Sequence, residues 1–151
     1  MSLQDRRTEI LDHLREIRTQ FLGALDGLSD EQMSDPSIDG WSVKDHLVHL
    51  AFWHDLRASE IVRITAGYEH AWPPTVDSQA LNDIVQPARA NLGAEQALWE
   101  YESALERVEA AVTVANERGL APDRYGEVGP DTTHDVEHAG FIRKWRERRG
   151  I

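Results

Sequence analysis

Residues 40–50 read Gly-Trp-Ser-Val-Lys-Asp-His-Leu-Val-His-Leu, and this stretch opens a helix with a clear start signal. Ser42 is a candidate N-cap, and Asp45, three residues later, can return the hydrogen bond as in a capping box. Apolar and aromatic side chains then recur at helical spacing as far as Ile64, and Gly67 stops the pattern. The stretch therefore predicts a long amphipathic helix that ends near Gly67.

Helical spacing also dominates on the N-terminal side of this helix, and strand-like alternation is absent from the chain. Apolar residues at steps of four and three predict a first helix from about residue 3 to Gly27. The polar stretch that follows contains Pro36 and Gly40 as breakers, and residues 29–32 can add one short turn.

The segment that follows the second helix, residues 77–118, contains two residues that disfavour a continuous helix. Pro87 removes an amide donor and Gly93 weakens the helical backbone. We therefore predict either two helices or one kinked helix over residues 77–92 and 94–118. Two residues can cap the start of this segment, Asp77 and Ser78.

A last helix is predicted to be capped by Asp131 or Thr132 and to reach about Arg149. Four long amphipathic helices with little strand signal predict an all-α fold, a four-helix bundle with a kinked or broken third helix. At 151 residues, the chain is long enough to bury a core as a single domain over residues 1–151.

Composition narrows the function classes. The net charge of −11 opposes a nucleic-acid partner, because phosphate binding needs a concentrated positive surface. The polar N-terminus and the lack of a long apolar run predict no membrane segment and a cytoplasmic protein. The absence of cysteine excludes disulfides, thiolate metal ligands and a cysteine nucleophile. One basic cluster is interpreted as cations that complement a helix dipole: Arg143, Lys144, Arg146, Arg148 and Arg149.

Histidines on two predicted helices form a candidate metal site. His134 and His138 are four residues apart, so both lie on one side of the last helix and can reach a single ion. The second helix offers a third ligand, and helical geometry permits His46, His49 or His54. Three imidazoles would leave an open coordination position, as a catalytic metal needs. The alternative is that these histidines are hydrogen-bonded core residues.

Residues 40–50, followed by Trp53, resemble the DinB-like four-helix bundle proteins, which include the mycothiol- and bacillithiol-dependent S-transferases. In that family a tryptophan begins the second helix, and the ligand histidine follows eight residues later, which is His49 here. The other two family ligands match His134 and His138. The resemblance implies a divalent metal, zinc or nickel, a low-molecular-weight thiol and a homodimer.

Other residues resemble a different branch of this superfamily. Residues 139–142 read Ala-Gly-Phe-Ile, where many metal-binding members have His-Arg-Gly-Gln. Residues 142–145, together with Leu81 and Asn82, look more like the ClbS/DfsB branch, some of whose members are implicated in toxin self-protection by hydrolysis and lack the metal triad. Two alternatives therefore stand beside the transferase: a metal-independent hydrolase or toxin-resistance protein, and a non-catalytic dimeric stress-response module.

In the metal-dependent interpretation, the ion lowers the proton affinity of a bound thiol or water and so makes it a good nucleophile toward a small-molecule substrate. Aromatic side chains could line the pocket, with ordinary packing as the alternative for each: Trp53, Trp72, Trp99 and Tyr101. Glu60 or Glu137 could orient a ligand histidine. Asp135 and Glu137, between the paired histidines, could instead serve neighbouring lysines or solvent.

Overall fold

The computed structural model describes residues 1–71, 77–125 and 128–151. Within these ranges the chain forms helices and no strand, which confirms the predicted all-α class. The six α-helices of these ranges are α1 (Leu3–Leu25), α2 (Asp30–Ser34), α3 (Val43–Thr65), α4 (Ser78–Ala88), α5 (Ala94–Val114) and α6 (His134–Arg149). The predicted interruption of the third long segment is a complete break between α4 and α5, and Gly93 is the N-cap residue of α5.

The four long helices form two packed pairs around one core. Helix α3 lies along α5, and α6 lies along α1. The core between them is apolar and almost fully buried, and burying one large apolar side chain contributes about 1.5–3 kcal/mol. Its large, fully buried members include Ile10, Leu14, Phe21, Leu50, Ile61, Tyr101 and Trp145. None of the helices in the described part of the chain has the length and apolar character needed to cross a bilayer.

Helix α3 begins with the predicted capping box. The Asp45 amide donates to Ser42 Oγ at 3.2 Å, and the Ser42 amide donates to Asp45 Oδ2 at 2.8 Å. The helix ends at Thr65, and Gly67 follows with a φ of 100°, a conformation that favours glycine. Local sequence therefore sets both ends of the helix that carries three of the candidate ligands.

The start of α6 differs from the prediction. Neither Asp131 nor Thr132 is the N-cap residue: the helix begins at His134, after Thr133, which makes no side-chain cap. Thr132 still helps, because its hydroxyl accepts a hydrogen bond from the His134 amide at 3.2 Å. Asp131 instead forms an ion pair with Arg6 of α1 at 2.5 Å. Pairing with another helix, which local sequence does not encode, takes Asp131 away from the cap.

The C-terminal basic cluster does more than complement the dipole of its own helix. Arg143 donates to the Gln20 carbonyl at 3.0 Å, and Arg146 donates to the carbonyls of Ala24 and Asp26 at 2.8 and 2.7 Å. The Ala24 and Asp26 carbonyls lie at the C-terminal end of α1, where a helix leaves carbonyls without internal partners. The cluster therefore fastens α6 to α1.

Candidate metal centre

The rings of His49, His134 and His138 converge between α3 and α6. His134 Nε2 lies 3.1 Å from His49 Nε2 and 3.1 Å from His138 Nε2. One ring nitrogen from each residue lies within 4.8 Å of those from the other two. His49 and His138 are 6% and 7% exposed, and His134 is half-buried. Of the three histidines that helical geometry permitted on α3, His49 is the one that the fold brings to this cluster.

Two of the three distances between the ring nitrogens match those around a divalent ion, and the third lies within 4.8 Å. Metal–nitrogen bonds of about 2.0–2.1 Å place two nitrogens of one ion about 2.9–3.4 Å apart for coordination angles between octahedral and tetrahedral, which includes the observed 3.1 Å. Burial, reinforced by the neighbouring histidines, lowers the pKa of His49 and His134 to about 4 and that of His138 to about 2. All three imidazoles are therefore neutral near pH 7, as metal ligands must be, and zinc and nickel favour such nitrogens.

His46 lies behind the cluster and contacts His138 directly. Its Nδ1 is 2.6 Å from His138 Nδ1, so when His138 presents Nε2 as a lone pair, its Nδ1–H donates to His46. His46 is 4% exposed, and burial lowers its pKa to about 4. A hydrogen bond of this kind sets the tautomer and orientation of a metal-ligating histidine. His46 is therefore positioned to hold the ring of the candidate ligand His138 in one orientation.

His54, the third candidate on α3, faces the core and belongs to a separate buried network. Its Nε2 donates to Asp135 Oδ2 at 2.9 Å, and the Tyr101 hydroxyl donates to the same oxygen at 2.5 Å. Arg57 Nη1 donates to His54 Nδ1 at 2.7 Å. The chain Arg57–His54–Asp135–Tyr101 therefore links α3, α5 and α6 directly beneath the metal candidates.

The prediction that Asp135 faces solvent or a neighbouring lysine was wrong. Its side chain is fully buried and pairs with neither. Burial raises its pKa, but His54, Tyr101 and Arg57 outweigh that effect, so the net pKa is lowered and the carboxylate is charged. Burial lowers the pKa of His54 and keeps it neutral. The spacing of His54 and Arg57, three residues apart on one helix side, was the available signal for this network.

A pocket of about 680 Å³ opens beside the histidine cluster. Two tryptophans form part of its wall: the Trp41 ring lies 5.1 Å from the His49 ring between centroids, and Trp53 donates to Asn82 Oδ1 of α4 at 3.1 Å. The remaining lining includes Arg57, Gly129, Thr132, Thr133 and Glu137. The volume is that of a site for a small molecule.

Of the four aromatic residues that could line the pocket, three lie in the described part of the chain. Trp53 lines the pocket, Tyr101 is buried below it, and Trp99 is 60% exposed elsewhere on α5. Trp72 lies outside the described residues. Of the two glutamates proposed to orient a ligand, Glu137 lines the pocket, whereas the Glu60 carboxylate is engaged by the Ala71 amide and by Arg63.

Comparison with known families agrees with this architecture. A family model described as the DinB superfamily matches residues 13–142, a range that contains all three clustered histidines. No curated protein and no solved structure matches the chain.

Proposed function

The chain belongs to the DinB superfamily, and from that premise we propose that it is a metal-dependent enzyme whose divalent ion is held by His49, His134 and His138. The observation that carries the proposal is the convergence of three neutral ring nitrogens beside a pocket of about 680 Å³. Zinc or nickel is the proposed metal, because both favour imidazole ligands.

The protein's own residues would prepare this site for chemistry. Three protein ligands leave room for one more, and the ion, when bound, would lower the pKa of a thiol or water at that position. Trp41 and Trp53 would shield the reacting group from bulk water on the pocket side. His46 would hold the His138 ring in the orientation that keeps its Nε2 in the cluster.

We propose S-transfer as the reaction, with a low-molecular-weight thiol as cosubstrate and a small electrophilic molecule as substrate. The thiol sulfur would form a bond to the electrophilic atom, a leaving group would depart, and the thiol proton would pass to solvent. The absence of cysteine from the chain supports this, since the sulfur must then arrive on a cosubstrate. The pocket beside the histidine cluster offers the room that the thiol and the electrophile need.

Metal analysis tests the first part of the proposal. Untagged protein, loaded with zinc or nickel and desalted, is expected to carry about one ion per chain by inductively coupled plasma mass spectrometry. His138→Ala should lose the ion, whereas the matched control His70→Ala, which removes a histidine outside the cluster, should keep it. A wild type that retains no ion after loading would contradict the proposed metal site.

A conjugation assay tests the second part. Loaded protein with 1-chloro-2,4-dinitrobenzene should form the thioether faster when bacillithiol or mycothiol is added, and His138→Ala should remove this increase. A rate that is independent of added thiol would exclude S-transfer while leaving the metal site standing. Activity that survives unchanged in His138→Ala would instead favour the metal-independent alternative of the ClbS/DfsB kind.

A homodimer is also proposed, because the family implies one. Light scattering during size exclusion should then give twice the 17.1 kDa mass of the chain. A mass of one chain at micromolar concentration would contradict it.

A further inference from the structure

Arg57 is an unusual arginine, because it is 2% exposed and yet lines the pocket. Two of its three nitrogens are engaged: Nε donates to the Gly129 carbonyl at 2.7 Å, and Nη1 donates to His54 Nδ1 at 2.7 Å. The third nitrogen, Nη2, donates no hydrogen bond within the described part of the chain. Among the described residues, the two N–H donors of Nη2 are therefore unused on a side chain that lines the pocket.

The charge of Arg57 is also incompletely matched. Arg57 forms no ion pair among the described residues, and the buried carboxylate of Asp135 is linked to it only through His54. Leaving donors of a buried cation without acceptors is unfavourable, and a charged acceptor is the partner that relieves it best. A guanidinium is cationic throughout the neutral range.

The surroundings allow an anion to approach from the pocket side. Asp131, one acidic residue of the lining, is paired with Arg6, which leaves Glu137 as the acidic side chain of the lining without an ion pair in the described residues. Glu137 is exposed and lies on α6, whereas Arg57 is buried on α3. A divalent ion on three neutral imidazoles would add positive charge to the same pocket.

We propose that Arg57 Nη2 is the binding point for a carboxylate of the molecule that enters this pocket, and that the rest of that molecule reaches towards His49, His134 and His138. The second half of this inference rests on the proposed function; the carboxylate contact does not. The occupant is then an organic acid of small size, either the electrophilic substrate or the thiol cosubstrate.

Binding of benzoate and of its uncharged isostere benzamide tests the contact. Both are titrated into zinc-loaded and into metal-free protein, and the ¹⁵N-labelled Arg57 Nε–Hε resonance is followed by NMR. Benzoate is expected to bind at least tenfold more tightly than benzamide in both forms and to shift this resonance. Because the metal-free form is included, failure of the metal site would not affect this result.

Substitution assigns the preference to the side chain. Arg57→Gln should reduce the benzoate preference to about onefold, Arg57→Lys should keep part of it, and Arg63→Gln, the same change on an exposed arginine of α3, should keep all of it. A preference that survives Arg57→Gln, or an Arg57 resonance that benzoate does not move in the wild type, would overturn the inference. The resonance in the wild type decides the question even if Arg57→Gln fails to fold.

Paired reagents distinguish the two sources of the carboxylate. In the conjugation assay, 3-mercaptopropionate is compared with 3-mercaptopropionamide as thiol, and iodoacetate with iodoacetamide as electrophile. A rise in KM caused by Arg57→Gln and confined to 3-mercaptopropionate would place the carboxylate on the cosubstrate, and one confined to iodoacetate would place it on the substrate. A KM that changes for neither acid would contradict the proposal.

Discussion

Replacing His46 by leucine is expected to weaken metal binding without removing a ligand. His46 Nδ1 lies 2.6 Å from His138 Nδ1 in a site where both rings are less than a tenth exposed. A buried donor that loses its acceptor costs about 1–3 kcal/mol. At about 1.4 kcal/mol per factor of ten, the metal dissociation constant should rise by about 5–150-fold. The usual effect of changing a group that supports a metal-ligating histidine, about 10–100-fold, falls in the same range.

Competition against a chromophoric chelator gives the dissociation constants of zinc and nickel for the wild type and the variant. His46→Gln is the matched comparison, since its amide oxygen can accept from His138 and should restore part of the affinity. Thermal unfolding of the metal-free proteins separates a lost fold from a lost contact. A folded His46→Leu protein whose affinity lies within about threefold of the wild type would refute the supporting role.

Three further perturbations test the buried network, the site's protonation and the helix start. The pKa values of the site's four histidines are lowered from 6.5 to about 4, and to about 2 for His138, so the unfolded chain binds more protons in that interval. The contribution of these histidines to the stability of the metal-free protein should therefore be fully present above about pH 6.5 and fall as the pH drops towards 4. Denaturant midpoints that stay constant over this range would contradict this prediction. Asp135→Asn should cost about 1–3 kcal/mol, because it removes the charged acceptor that His54 and Tyr101 share, and Tyr101→Phe should cost less. Equal losses in urea unfolding would count against the network. Ser42→Ala should cost about 1 kcal/mol in the same assay by removing the N-cap of α3, and an unchanged midpoint would show that the cap is not needed.

The start of α3 could be predicted because its chemistry is local. Ser42 and Asp45 are three residues apart, and the hydrogen bonds of a capping box depend on little beyond that spacing. The break between α4 and α5 followed from the same kind of signal, since Gly93 disfavours a continuous helix wherever the segment packs.

The choice among His46, His49 and His54 could not be made from residue spacing. All three lie on α3 and are buried, but each meets a different partner: His46 meets His138, His49 meets His134, and His54 meets Asp135. The rotation of α3 against α6 decides these partners, and that rotation results from packing across the whole core. Family resemblance, which carries the outcome of such packing, selected His49.

The sequence by itself determined the helical class, the start of α3, the broken third segment and the placement of His134 and His138 on one side of a helix, because each depends on residues a few positions apart. Only the tertiary structure decided which α3 histidine completes the cluster, that Asp135 is buried under it, and that Arg57 lines the pocket with a nitrogen that has no partner among the described residues. These features join residues about 70 to 90 positions apart along the chain. Their geometry follows from how whole helices pack, and no local spacing encodes it.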